Sequence, residues 1–481
     1  TYEKANKLWS ELTTPWNFGH ELLDPDLGRI APSLEVGFRH FPAFQNTGIR
    51  QIINGPFTFA PDGNPLVGPV RGLPGFWVAC GVMAGFSQGG GVGLGLSNWM
   101  IHGDPGADIW AMDVARYGDW ASMRYTNAKV RENYSRRFSI RFPNEELPAG
   151  RKLKTTPIYD LLAAHGAQFG AAYGLEVPLW YAPAGVRDAF SWRRSSDFAH
   201  VGAEVRTVRE KVGLMEISSF AKYRVTGEGA RAWLDRMLAC ALPAEGRMTL
   251  APMLKADGRL IGDFTLANLG PDLGSAAVPP PLKGEGESAT PATPSPLWGG
   301  GNAEPTSAGE WLLTGSGVAE QYHMRWFEAH LPEDGSVRLE ALGLSRVGLA
   351  IAGPNARKLL KAVTRADVSN AGLPFMGIAR MDIGMAPCVV GRVSYTGDLG
   401  YEIWMAPEYQ RHVFETLMEA GEAFGLGLFG SRALNALRLD KGYGSWAREY
   451  RPIYGPLEAG VGGLAAPARV PPAQRNSRLT R

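Results

Sequence analysis

The sequence predicts a multidomain chain of α/β and α+β class. At 481 residues it exceeds what one hydrophobic core serves, and about two to four domains are expected. Short apolar runs ending in glycine alternate with stretches of helical periodicity over most of its length. Two segments rich in proline and small residues, 271–309 and 465–481, interrupt that alternation.

In residues 1–120, Arg50–Pro56 reads as a strand running into a turn, and Pro61-Asp62-Gly63-Asn64-Pro65 is turn chemistry. Gly75–Gly81 suits a buried strand. A glycine-dense loop follows, then helical character from Val92 to Ile101. Residues 121–190 are more polar and aromatic, with a helix expected near Pro157–His165, and read as a connecting domain. Residues 200–464 form the next domain. Glu204–Val212 and Gly229–Leu238 have helical patterns, and Phe220–Val225 resembles a strand. Asp263–Leu266 and Trp311–Thr314 look like partners that a short hairpin would join. Between them, residues 271–309 bury too little apolar surface to offset their ordering entropy, which predicts a disordered insertion. Residues 465–481 lack periodicity and read as a disordered tail.

Composition narrows the function. A formal charge of +2 argues against a dedicated nucleic-acid binder, which would carry a basic face. No run approaches the length of apolar residues that a membrane helix needs, and Thr1-Tyr2-Glu3-Lys4 opens no signal peptide. Cys80, Cys240 and Cys388 stand far apart, which predicts neither a disulfide framework nor a metal site and fits a reducing cytoplasm.

The run Gly81–Gly93 sits between the predicted strand and helix. Glycines there let backbone approach a flat or anionic ligand, and a helix start presents unpaired N–H groups to it. Tight packing alone would explain the same run. Asn54-Gly55-Pro56, Pro61–Gly68, Gly75–Gly81, Gly89–Gly93, Trp99–Gly103 and Asp113–Gly118, in that order, resemble the C-terminal part of the flavin domain of dimethylglycine and sarcosine dehydrogenases. The resemblance implies an FAD-dependent, D-amino-acid-oxidase-like oxidoreductase domain. In it Gly85, Phe86, Ser87, Gln88, Gly89 and Gly90 would line the pyrimidine end of the flavin. The family's G-x-G-x-x-G fingerprint has no match after a strand here, since Gly315-Ser316-Gly317 lacks the third glycine. The resemblance therefore implies a chain shortened at its start, with an incomplete FAD site.

Five further motifs follow in order. They are Val212–Ser218 with Phe220-Ala221-Lys222, Met253–Thr265, Gly353–Arg357, Ser394–Glu402, and Ala436–Gly442 with Pro456–Gly460. Together they resemble the T-protein of the glycine cleavage system, an aminomethyltransferase that binds tetrahydrofolate. A pterin edge presents parallel N–H donors that a carboxylate accepts as a short charge-assisted pair. By its place in the motif that begins Tyr395-Thr396-Gly397, Glu402 is the candidate for that pair, and Tyr395 for ring packing. Asp263 occupies the position of the acid beside the reacting folate nitrogens, where it would orient them or move a proton. Alternatives stay open: Tyr395 as a core aromatic, Glu402 paired with Arg392 or Arg438, Asp263 solvated at a strand edge. Arg438 is expected to brace the domain. Leu250 stands where T-proteins carry a tyrosine, and past Gly460 the resemblance to the family's final β-barrel ends, implying an open cleft.

The expected function is FAD-dependent oxidation of an N-methyl amine, of dimethylglycine or sarcosine type, with the one-carbon unit passed to tetrahydrofolate as 5,10-methylenetetrahydrofolate. A folate-binding module without oxidoreductase activity and an inactive degraded enzyme are the alternatives.

Overall fold

The computed structural model describes residues 6, 9–10, 13–19, 21–271, 309–446 and 448–465. The expected insertion and tail fall on 272–308 and 466–481, outside the described residues. The chain divides into two compact units, Thr1–Arg151 and Lys152–Arg481.

In the first unit, α1 (Leu27–His40) precedes the antiparallel hairpin of β1 (Leu66–Pro69) and β2 (Trp77–Cys80), followed by α2 (Gly85–His102) and α3 (Met123–Ser135). Gly68, at φ +119°, lets the Trp99 ring of α2 lie on β1, since a Cβ there would sit 2.7 Å from it. Three expectations change. Arg50–Pro56 forms no strand. Strand β2 is half-buried to exposed rather than buried. The glycine-dense loop is the first turns of α2. Glycine tolerates helix, and the reversal after β2 needs only one left-handed residue, which is Gly81 at φ +65°. The helix then ends on left-handed Gly103, whose N–H donates to the Trp99 carbonyl. Of α2, only Val92 and Gly95 are buried.

The second unit opens with α4 (Tyr159–Ala164) and the hairpin β3 (Ala167–Ala172) and β4 (Leu175–Tyr181). Ile158, Leu162 and Ala167 enter the same core as Val212 and Leu214, so the second half of the expected connecting segment folds with the domain C-terminal to it. Next come α5 (Phe198–Glu210), β5 (Val212–Glu216), β6 (Ala221–Thr226), α6 (Ala230–Met237), β7 (Arg247–Leu254), β8 (Leu260–Pro271) and β9 (Gly309–Gly315). After α7 (Glu320–Glu328) come β10 (Arg338–Ala341), β11 (Val347–Ala352), α8 (Ala356–Val363), β12 (Ile378–Ile383), β13 (Ala386–Gly391) and β14 (Gly400–Met405). The last elements are α9 (Gln410–Gly421), β15 (Leu426–Leu428) and α10 (Ser431–Asp440).

Two sheets result. One has the order β10-β6-β9-β8-β7, the other β12-β13-β14-β11-β5-β15, with β15 parallel to β5 and every other neighbour antiparallel. Period-two alternation sorts the six-stranded sheet. Tyr401, Ile403 and Met405 face Leu359, Leu360, Val413 and Leu417 of α8 and α9, whereas Trp404 faces the other way. There it joins Met248, Ala267, Leu269 and Leu312 of the five-stranded sheet, with Leu437 of α10. The site occupies the open end of this inter-sheet core. Among the described residues no helix is long and apolar enough to cross a membrane.

Strands β8 and β9 pair as expected, from Phe264↔Gly315 to Pro271↔Gly309, so their ladder closes without any contribution from 272–308. Replacing 272–308 by an Asn-Gly turn is expected to leave the melting temperature within roughly 3 °C of the parent chain, because loop-closure entropy changes slowly with length. Loss of cooperative melting on that replacement would refute independent closure of the hairpin.

Candidate functional site

Strand alternation builds the site. On β8, Asp263 and Thr265 share a face with Ala267 and Leu269, which lie in the inter-sheet core. Opposite them on β7 stand Pro252, Leu250 and Met248, in register with Asp263, Thr265 and Ala267. Along the face, buried Met248–Ala267 is followed by Leu250–Thr265 and then by Asp263 opposite buried Pro252. Leu250 is 42% exposed and lines the open end. From the other sheet, Glu402 shares the inner face of β14 with Trp404. Its register partners are Ala350 and Gly391.

Asp263 is not at a strand edge: β8 lies between β7 and β9. Its Oδ1 is out of solvent with no hydrogen-bond partner, and burial pushes its pKa up to about 7. Burial likewise raises Glu402 to about 7. Neither arginine pairs with Glu402. Arg392 donates to Asn370 Oδ1 at 2.8 Å and to the Leu373 carbonyl at 3.1 Å. Arg438, 3% exposed, donates to Asn435 Oδ1, the Tyr443 carbonyl and both oxygens of Glu449. It thus braces the segment after α10.

Tyr395 lies in the turn between β13 and β14, and its hydroxyl donates to the Gly444 carbonyl. Its ring stacks at 20° on that of Tyr443, with centroids 6.3 Å apart. Burial pushes its pKa up to about 12; the Arg438 charge opposes this and Asp263 adds to it. Asp263 also acts on Tyr450, whose pKa burial raises and whose hydroxyl oxygen accepts from Gly444 N–H at 3.1 Å. Asp263 thus acts electrostatically on Tyr395 and Tyr450, and Glu402 stands on the facing sheet. Sequence reasoning missed Trp404 and Tyr450. The first was legible as the i+2 neighbour of Glu402 on a strand; the second lies in an irregular segment with no periodic signal.

Asp263 suits a reduced folate, because an unpartnered buried carboxylate oxygen calls for an N–H donor. In the first unit, Gln88 Oε1 is buried without a partner, and Cβ atoms built on Gly85, Gly89 and Gly90 would meet nothing within 4 Å. An uncrowded helix start with one free acceptor fits the edge of a flat ring. Ser87 is less available, since its hydroxyl donates to the Ala84 carbonyl at 3.1 Å. Phe86 is fully exposed.

Residues 102–156 match the FAD dependent oxidoreductase central domain. The mitochondrial dimethylglycine dehydrogenase of Mus musculus is 33% identical over 470 residues, which are 96% of this chain and 50% of that protein. The mitochondrial sarcosine dehydrogenase of Homo sapiens is 27% identical over 495 residues, 96% of this chain and 51% of that one. The aminomethyltransferase of Halothermothrix orenii is 25% identical over 314 residues, 64% of this chain and 71% of that one. The chain spans about half the length of the two dehydrogenases. Residues 158–274 and 305–467, more than half of the chain, match the GCVT N-terminal domain, and it is to this family that the chain belongs.

Proposed function

We propose that the second unit binds a reduced folate in the inter-sheet cleft and loads it with a one-carbon unit drawn from an N-methylated amine. The amine is of dimethylglycine or sarcosine type, as the names of the relatives suggest. The observation that carries this reading is the unpartnered buried Oδ1 of Asp263 in a chain of this family. Glu402 accepts the parallel N–H donors of the pterin edge, and Tyr395 packs against the ligand from the stacked pair with Tyr443. Asp263, poised between its two protonation states near neutrality, holds or moves a proton at the folate nitrogens. Gln88 and the backbone of Gly85–Gly90 would hold one edge of FAD, which when bound supplies hydride acceptance from the N-methyl carbon.

A second reading, a folate-binding module without amine oxidation, is favoured by the match of the second unit to the GCVT N-terminal domain and to an aminomethyltransferase. Purification with an absorbance spectrum, followed by titration with 5-formyltetrahydrofolate, separates the two. Flavin absorbance with folate-dependent amine turnover supports the first, and folate binding without a flavin band supports the second. No folate binding sinks both.

The raised carboxyl pKa values carry a sign. Both groups hold their protons more tightly in the folded chain than unfolded. Folding stability without ligand therefore falls as pH rises from the ordinary carboxylate range to about 7, and is greatest below it as far as these two groups are concerned. Asp263→Asn is expected to flatten that fall and to raise the melting temperature at pH 7.5 by roughly 2–4 °C, read by calorimetry. A lower melting temperature at pH 7.5 would contradict the cost assigned to the ionised carboxylate. The same variant and Glu402→Gln should each weaken 5-formyltetrahydrofolate about tenfold or more in isothermal titration, as expected for a lost charged hydrogen bond. Unchanged affinity in either variant removes that residue from the site.

A further inference from the structure

We infer that Arg357 and Arg392 form a binding site for a small oxyanion, a phosphate or carboxylate group, on the helical side of the six-stranded sheet. Both guanidiniums donate to one neutral atom. Arg357 of α8 donates from Nη2 to Asn370 Oδ1 at 2.7 Å. Arg392, which follows β13, donates to the same oxygen from Nη1 at 2.8 Å. The two donor nitrogens therefore stand no farther apart than these two bonds laid end to end. Among the described residues neither arginine forms an ion pair. Other arginines of this sheet and its helices do: Arg380 of β12 meets Glu310 at 2.6 Å, and Arg411 of α9 meets Asp160 at 2.6 Å. An amide oxygen satisfies the geometry between two cations without neutralising either. A phosphate or carboxylate supplies the opposite charge and matches the guanidinium fork.

Donors remain for it on both side chains. Arg357 gives its Nε to the Tyr401 hydroxyl oxygen at 3.1 Å, which leaves Nη1. Arg392 directs Nη1 also to the Leu373 carbonyl at 3.1 Å, which leaves Nη2, and its Nε is out of solvent with no acceptor. The acid in the same loop is otherwise engaged. Asp367 accepts from Ser369 N–H at 2.9 Å through Oδ1, and its Oδ2 packs on Gly372, where a Cβ would lie 2.6 Å from it. Asn370 is held in a turn in which Ser369 Oγ accepts from Ala371 N–H and Gly372 N–H, each at 3.2 Å. Around the pair, α8 buries Leu359, Leu360 and Val363 and exposes Lys358 and Lys361, with exposed Arg365 beyond its end, so the local field is positive. A bound oxyanion ties this loop to α8 and, through Tyr401, to the chain neighbour of Glu402 on β14.

The test uses the 481-residue chain in phosphate-free buffer, titrated calorimetrically with inorganic phosphate and separately with acetate. Sodium chloride holds the ionic strength constant, so that simple screening gives no signal. Binding of phosphate alone assigns a phosphate site, and binding of acetate a carboxylate site, in either case with a Kd in the millimolar range or tighter. Arg357→Gln and Arg392→Gln should each weaken the bound anion about tenfold or more. Each arginine also supports its surroundings, so Asn370→Asp provides a second arm that removes neither. It places a carboxylate of nearly the same shape between the guanidiniums. It should abolish binding of the added anion and raise the melting temperature by roughly 2 °C or more. Heats equal to the chloride control for both anions in the parent chain overturn the site. Affinity unchanged in Asn370→Asp, or in the folded arginine variants, removes these residues from it. A melting temperature that stays or falls in Asn370→Asp means that the two charges are already compensated, and overturns the inference as well.

Discussion

The second unit depends on one constraint: each strand must send alternate side chains to opposite faces. In β14 this commits Tyr401, Ile403 and Met405 to the helical layer, and Glu402 with Trp404 to the space between the sheets. In β8 it commits Ala267 and Leu269 to that space, and Asp263 with them. The carboxylates are therefore not appended to a finished fold. They are the continuation, toward the open end, of the same residue parity that makes the core. A register slip by one residue would bury Tyr401 and Ile403 between the sheets and send Glu402 toward the helices. Correct packing and a correct site are the same event.

That arrangement has an energetic consequence. A carboxylate on a core-facing row loses hydration, and Asp263 recovers none of it through its Oδ1, which has no partner. Apolar side chains at 263 and 402 would continue the rows at lower cost. Other buried charged groups of the unit do recover hydrogen bonds. Arg438 directs its guanidinium to Asn435, Tyr443 and Glu449, and Glu204 accepts from Tyr181 N–H at 2.7 Å and Gly430 N–H at 2.9 Å. The Asp263 Oδ1 is an unmet acceptor, and it faces the space between the sheets.

Much of this was legible in the sequence, for identifiable reasons. The pairing of β8 with β9 was readable across 271–309, because both strands carry apolar alternation and the intervening composition does not. The motif from Ser394 to Glu402 marked its own turn and strand. Asp263 was harder: a local pattern shows that a residue lies on a strand, but not that two other strands flank it, so an interior acid resembled an edge one. The glycines of α2 misled in the opposite direction. Glycine permits left-handed backbone without requiring it, and the residue that uses that freedom is Gly81, ahead of the run. Arg50–Pro56 has strand composition, but forms no ladder there.

Least legible is the wall formed after α10. The described residues within 441–455 lie in no helix or strand, so their backbone polar groups need side chains as partners. Around Gly444 that need is met twice: Tyr395 donates to its carbonyl and Tyr450 accepts from its N–H. A Cβ on residue 444 would collide with the Tyr450 ring, so both phenols engage the backbone of this one residue only because it is glycine. Tyr395 therefore reaches the cleft with its hydroxyl already bound and its ring already stacked on Tyr443. What it offers a ligand is a fixed aromatic surface rather than a free hydroxyl. Polarity in the cleft is then left to the two carboxylates, one from each sheet, and the irregular segment contributes shape. That division is a property of the fold: strands place charge at regular, predictable depth, while a loop held by side-chain hydrogen bonds can be fitted to a flat ring without disturbing either sheet.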